Sequence, residues 1–188
     1  MDAELTAVLA AIESDLNQGA VGVVLEPAMP GDPGAEPIPD AVVSAAAALT
    51  RVTVTVGSPE QAERALQAGA SGVMVRQLPD ARLRRTVADR GGSLWMTGIS
   101  DPPDLGPEGE RLILECPVAS VARLARLAAS EGSLVGSTQI ACSLPSAVPA
   151  DEGVLESLVT LAVAGGAAVL RCGGRVPHGG NSDARVVR

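Results

Sequence analysis

Seven polar or charged residues each close a short apolar run, and four of them carry full charge. Glu26 ends the run at 21–26, Arg76 that at 72–76, Glu115 that at 111–115 and Arg171 that at 167–171. Thr55, Thr97 and Thr138 stand in equivalent places after Val54, Met96 and Ser137. A carboxylate so placed can act as a general base, and a guanidinium can grip an anion through two parallel hydrogen bonds. The competing arrangement is internal: Arg76 and Arg171 pair with Glu26 and Glu115 and neutralise one another. Other chemistries have less support. The sole histidine, His178, sits in a Gly/Pro-rich C-terminal stretch, which leaves no Ser/His/Asp constellation. All fourteen basic residues are Arg, so neither a Schiff-base lysine nor a P-loop lysine exists. Cys116, Cys142 and Cys172 are scattered with no CxxC pair, and with one His they make no zinc set.

These residues need elements to bring them together, and the clearest lies at 51–76, RVTVTVGSPEQAERALQAGASGVMVR. The β-branched run 51–56 predicts a buried strand. Ser58, Pro59 and Gln61 supply an N-cap, a first-turn proline and a capping-box partner. Ala62, Ala65 and Leu66 recur at helical spacing, and Gly69 ends the helix. The run 72–76 is the next strand, so the segment is a βαβ unit with parallel pairing.

The same alternation is read along the chain. Leu5, Val8, Leu9, Ile12 and Leu16 mark a first helix, and helices are predicted at 40–49, 81–89, 118–130 and 154–164. The helix at 81–89 carries an Arg-rich outer face. Strands are predicted to begin near 21, 52, 72, 93, 111, 134 and 167, the sixth spanning 134–137. Seven apolar strands alternating with helices imply a parallel sheet with helices outside. The expected architecture is a TIM-barrel-like (β/α)8 fold lacking its first strand, with the barrel closed or left open at that point. No GxGxxG follows a strand, which disfavours a dinucleotide-binding sheet. Residues 1–174 are expected to form a single domain and 175–188 a flexible tail.

Composition narrows the partners. The 188-residue chain is 46% hydrophobic, with one Trp and no Phe or Tyr. Base-stacking surfaces are therefore missing, and a net charge of −8 opposes a phosphate backbone, so no nucleic acid is expected. No apolar run approaches the length of a membrane span, and the acidic N-terminus does not resemble a signal peptide. Scattered thiols suit a reducing compartment, and the expected location is cytoplasmic.

In its details the sequence resembles the dihydropteroate synthase family, the pterin-binding (β/α)8 enzymes of folate synthesis. Pro33-Gly34-Ala35 is similar to the end of the family's GGESxRPGA loop. Residues 52–75 resemble its strand–DTxRxxVAxxAL–GA–strand segment, and Leu94-Trp95-Met96-Thr97 its LMH strand. Residues 134–138 are similar to its VGxSRK strand, and 158–171 to the final helix and the strand ending in RVHD. The resemblance implies a barrel mouth that binds a pterin-like or anionic small molecule, with Arg171, Glu115, Met96, Thr55, Thr138 and Glu26 as its contacts.

The departures fall where the family does its work. Thr55 and Ser58 replace the Asp and Arg of DTxR, and Met74 and Val75 replace an Asn-Asp pair. Gln139, Ile140 and Cys142 stand for the Arg, Lys and nearby Phe of the VGxSRK region, and Gly173-Gly174 for the closing His-Asp. The family's first strand and its Asn-containing loop, which bind diphosphate and Mg²⁺, have no counterpart. The expectation is therefore a pseudoenzyme with no catalytic residue, no metal and no cofactor, acting through a partner or in regulation. Because the family dimerises through late helices, Leu155, Leu158 and Val159 are expected to support a homodimer or a heterodimer with an active synthase. The alternative is an active enzyme of folate or pterin metabolism, or of altered chemistry, using Glu115 or Glu26 with Arg171.

Overall fold

Strand–helix alternation governs the computed structural model, which describes residues 3–27, 36–99, 111–130, 138–144, 152–172 and 182–187. Helix α1 (Ala3–Asn17) leads into β1 (Gly22–Pro27), α2 (Asp40–Ala47) and β2 (Arg51–Thr55). Then come α3 (Pro59–Gln67), β3 (Gly72–Val75), α4 (Ala81–Asp89), β4 (Ser93–Thr97) and β5 (Arg111–Pro117). The chain ends with α5 (Val118–Ser130), β6 (Gln139–Leu144), α6 (Glu152–Ala164), β7 (Val169–Cys172) and β8 (Ser182–Val187). Strands β1 to β7 pair in sequence order and all in parallel, as right-handed βα crossovers require.

The local signals act as the residue types dictate. Ser58 Oγ accepts the Gln61 amide at 3.2 Å, while Gln61 Oε1 accepts the Gly57 amide at 2.7 Å. The capping box thus reaches one residue further back than the usual pattern. Asp80 caps α4 through the Leu83 amide at 2.7 Å. Gly69, at φ +103°, takes the left-handed conformation that terminates α3. On α4, Arg84 is buried, so the Arg-rich outer face is carried by Arg82 and Arg85.

Two segments differ from expectation. While the expected run at 134–137 lies outside the described residues, the strand described in the sixth place is Gln139–Leu144. There Ile140, Cys142 and Leu144 alternate with Gln139, Ala141 and Ser143, a period-two pattern that puts one set against the helices. The small and polar members of that pattern hid it. The second concerns the segment read as a tail. Its residues Ser182–Val187 form β8, which pairs antiparallel with β1 from Gly22↔Val187 to Pro27↔Ser182 and touches β7 at Arg171↔Val187. The ring is a closed barrel of eight strands. Without β8 the outer edges of β1 and β7 would carry unpaired backbone groups, which a strand of either direction can satisfy.

Side chains alternate across the wall of the barrel and make two separate cores. Val23, Leu25, Val52, Val54, Leu94, Met96, Leu112 and Leu114 face the helices. Val24, Met74, Trp95, Ile113 and Ala141 fill the interior, with Val169 against them. Each fully buried Leu, such as Leu94 or Leu114, contributes about 1.5–3 kcal/mol by leaving water. Trp95, with no Phe or Tyr in the chain, supplies the bulk of the interior that those residues would otherwise provide.

Candidate functional site

Alternation along each strand carries the inward set upward from this apolar layer to charged residues at the strand C-termini. Val24 is followed two residues on by Glu26, Met74 by Arg76, Ile113 by Glu115 and Val169 by Arg171. In a barrel with parallel strands these ends converge on one face, where loops have the least structural duty. Four elements distant in sequence, β1, β3, β5 and β7, thus place two carboxylates and two guanidiniums together.

Arg171 is the centre of the cluster. Its Nη1 donates to both oxygens of Glu115, at 2.8 and 3.0 Å, and its Nη2 donates to Glu26 Oε1 at 2.8 Å. The three residues are 7%, 4% and 1% exposed respectively. Arg76 Nη2 approaches the same Glu26 oxygen at 3.5 Å with its own side chain 41% exposed. Met74 Sδ lies 3.7 Å beneath Arg171 Nη1 and ties the cluster to the apolar layer. The four charges cancel. Burial would make Glu26, Glu115 or Arg171 costly alone, and their mutual hydrogen bonds offset that cost.

The pairing is thus the internal one. Arg171 engages a carboxylate on each terminal nitrogen, so it grips protein rather than an incoming anion. Of the residues expected to line a ligand site, Glu26, Glu115, Arg171 and Thr55 are brought to the mouth. Thr97, paired in register with Glu115, joins them there. Met96 is not at the mouth: it packs in the layer between sheet and helices, while its neighbour Trp95 faces inward. Strand parity, applied to Leu94 and Met96 as one face, carries that signal in the sequence. Thr138 precedes β6 and lies at the opposite end of the barrel, because the strand begins one residue after it. Pro33-Gly34-Ala35, Gly173-Gly174 and His178 lie outside the described residues.

A cavity of about 600 Å³ lies over the β2–α3 and β3–α4 connections, with Thr55, Arg76 and Gln77 among its lining. Thr55 Oγ1 is buried and has no hydrogen-bond partner among the described residues. No group of three His, Cys, Asp or Glu side chains among the described residues is placed to hold a metal ion. No described helix is long and apolar enough to cross a membrane. Away from the site, Cys116 and Cys142 face each other in register as free thiols of the helix-facing layer. Desolvation, and secondarily the neighbouring Glu115 charge, raises the Cys116 pKa.

No protein-family model and no curated protein sequence matches the chain. Among solved structures, the dihydropteroate synthase of Thermus thermophilus in complex with 4-aminobenzoate aligns with a TM-score of 0.64 and 19% identity, over 86% of this chain and 82% of that one. The same enzyme in complex with 6HMPPP gives 0.65 and 17%, over 88% and 82%. The dihydropteroate synthase of Yersinia pestis gives 0.62 and 16%, over 89% and 82%. The likeness establishes the fold.

Proposed function

We propose that this chain, built on the dihydropteroate synthase fold, is a non-catalytic protein that acts through a partner or in regulation. One observation carries the reading: the Arg171 guanidinium is occupied by Glu115 and Glu26 within a buried network. The solved structures of similar fold hold 4-aminobenzoate and 6HMPPP in the proteins named above. A pterin entering this mouth would have to displace buried ion pairs first. It would also find Thr55, Met74 and Val75 where the family pattern has Asp, Asn and Asp. Each missing charge-assisted hydrogen bond weakens binding by about 1.5–3 kcal/mol. Two such losses together with that of the neutral Asn amide, even when not additive, reduce affinity by orders of magnitude. The charges that would steady a departing diphosphate are likewise missing.

The partner half of the reading rests on α6. Its Val154 and Leu161, seven residues apart and so on one helix face, are 41% and 61% exposed, while Leu155, Leu158 and Val159 are half-buried against the core. An apolar helix left uncovered favours a second protein surface. We assign that surface to a second copy of this chain, with pairing to an active synthase as the competing result.

The competing function is an active enzyme of folate or pterin metabolism or of altered chemistry, with Glu115 or Glu26 as base. It draws on the same network, since those carboxylates and Arg171 are in direct contact. One experiment separates them. The purified protein is incubated with dihydropterin diphosphate and 4-aminobenzoate, and pterin binding is followed by calorimetry in parallel. The proposal expects no dihydropteroate and weak or unmeasurable heats. Turnover would overturn it.

A further inference from the structure

The two ends of the barrel use their arginines differently. At the C-terminal end Arg171 and Arg76 engage carboxylates. On the helices, Arg64, Arg82 and Arg90 pair with Asp40, Glu60 and Glu63. Arg51 and Arg111 are the first residues of β2 and β5. Both are exposed, and their side chains make no ion pair or hydrogen bond among the described residues.

Strand register brings these two residues to the N-terminal opening of the barrel, on its inner face. Gly22 and Gly72 stand two residues before Val24 and Met74 of the interior core, and so share their face. A Cβ on Gly22 would lie 3.3 Å from that of Arg51, its partner on β2. A Cβ on Gly72 would overlap Ser93 Oγ, which puts Ser93 on the inner face, and Arg111 is the partner of Ser93 on β5. Around the ring the register moves up two residues at each of β2, β5, β6 and β7 before Val187 returns it to Gly22. Four steps of two give the stagger of eight that a TIM barrel has, in which inward residues of alternate strands share a layer. Arg51, Ser93 and Gln139, on β2, β4 and β6, therefore form one layer at this end, with Arg111 just outside it. Gly22 and Gly72 place no side chain beside them.

Two guanidiniums brought to one opening repel each other, and an anion between them removes the repulsion. Strands β2 and β5 are three apart in a ring of eight, so the two forks reach such an anion from different sides. A carboxylate offers two oxygens in one plane and suits a single fork. A phosphate group offers oxygens on every side and carries a charge of about −1.5 to −2 at neutral pH, so it suits both. The Gln139 side chain, half-buried and without a hydrogen-bond partner among the described residues, adds an amide donor. Ser93 adds none, because its hydroxyl donates to the Ser71 carbonyl at 3.3 Å.

We propose that the N-terminal opening of the barrel binds a phosphate group, held by Arg51 and Arg111 with the Gln139 amide beside them. The apolar interior that holds Met74, Trp95 and Ile113 separates this site from the charge cluster at the other end. The assignment is therefore independent of whether the C-terminal mouth turns over a substrate.

The test is an NMR titration of the full-length protein that follows the Nε–H resonances of Arg51 and Arg111. The probes are inorganic phosphate and glycerol 3-phosphate, with acetate as the control at equal ionic strength. Both phosphates are expected to shift the two resonances saturably, with acetate about tenfold weaker or worse. Tighter binding of the ester would assign the site to a phosphate monoester, and equal or weaker binding to inorganic phosphate. Arg51→Gln and Arg111→Gln change exposed positions, so the fold is kept, and each should weaken phosphate by about tenfold or more. Arg85, exposed on α4 and also without an ion pair among the described residues, is the control, and Arg85→Gln should bind as the parent does. No saturation, equal binding of acetate, or unchanged affinity in Arg51→Gln and Arg111→Gln would each overturn the assignment. An equal loss in Arg85→Gln would reduce the effect to general charge attraction and overturn it too. Synthase turnover would count against the proposed function while leaving this site untouched.

Discussion

Arg171 and Glu26 are 145 positions apart in the chain and 2.8 Å apart in space. They sit on β7 and β1, the two parallel strands between which β8 inserts. The buried network therefore spans the place where the ring of parallel strands ends, and it helps fasten the ends across that gap.

Breaking that network from one side should be costly. Arg171→Met takes from buried Glu115 and Glu26 the cation they share and leaves Glu26 the longer Arg76 contact, a loss of about 3–5 kcal/mol. Urea unfolding should register it as a lower midpoint at constant slope. A triple variant with Glu26→Gln and Glu115→Gln added should recover much of the loss, because no buried charge is then left alone. If the single variant unfolds like the parent, the network contributes nothing measurable.

Gly72 is held to glycine by its neighbour strand. A Cβ there would overlap Ser93 Oγ and come within 2.7 Å of the Ser93 carbonyl oxygen. Gly72→Ala should cost about 1–3 kcal/mol through overpacking. Gly22→Ala, which meets the Arg51 carbonyl at 3.0 Å, should cost less. Thermal denaturation of the two side by side gives the order.

Cys116 should be chemically silent while the protein is folded. Burial favours its neutral thiol, so a thiol reagent at pH 8 should label it only at the rate of unfolding. The sign of the pH effect follows. A folded pKa raised above the ordinary value of 9.0 gives stability that is complete below that value. It is lost as pH rises through the folded pKa, because the unfolded chain releases the proton first. Cys116→Ala should flatten this alkaline decline in stability.

The exposed face of α6 predicts association. Leu161, 61% exposed, has little to lose in the monomer, so Leu161→Asp should leave the melting temperature nearly unchanged. Sedimentation should instead show the parent as a dimer and the variant as a monomer. A parent that is monomeric at high concentration would remove the homodimer.

Deleting residues 175–188 removes β8 and exposes the edge of β1 along its whole length. The shortened protein should lose stability or aggregate through that edge. Hydrogen exchange of the β1 amides should rise in the deletion while those of β3 and β4, paired on both sides, change least. An unchanged exchange pattern would mean that β8 adds nothing to the barrel.

Local residue patterns decided the framework. The β-branched run before Ser58-Pro59, the capping groups Ser58 and Asp80, and Gly69 after α3 act within a few residues of one another, so they can be read without the fold. They were enough to place α3, α4 and β4 and to bring Glu26, Glu115 and Arg171 to strand ends. The pattern of β6 was harder to see, because Cys142 and Ala141 do not mark a strand as Val or Ile would.

Tertiary structure decided the rest. Whether Arg171 grips a ligand or two carboxylates depends on how β1, β5 and β7 are arranged around the barrel, which no local pattern encodes. The pleat of β4 sends Met96 and Trp95 to opposite faces, and the fold decides that Trp95's face is the interior. The antiparallel fit of β8 has the same origin. An edge strand offers hydrogen-bonding groups to any segment that can reach it, and only the closed ring shows which segment does.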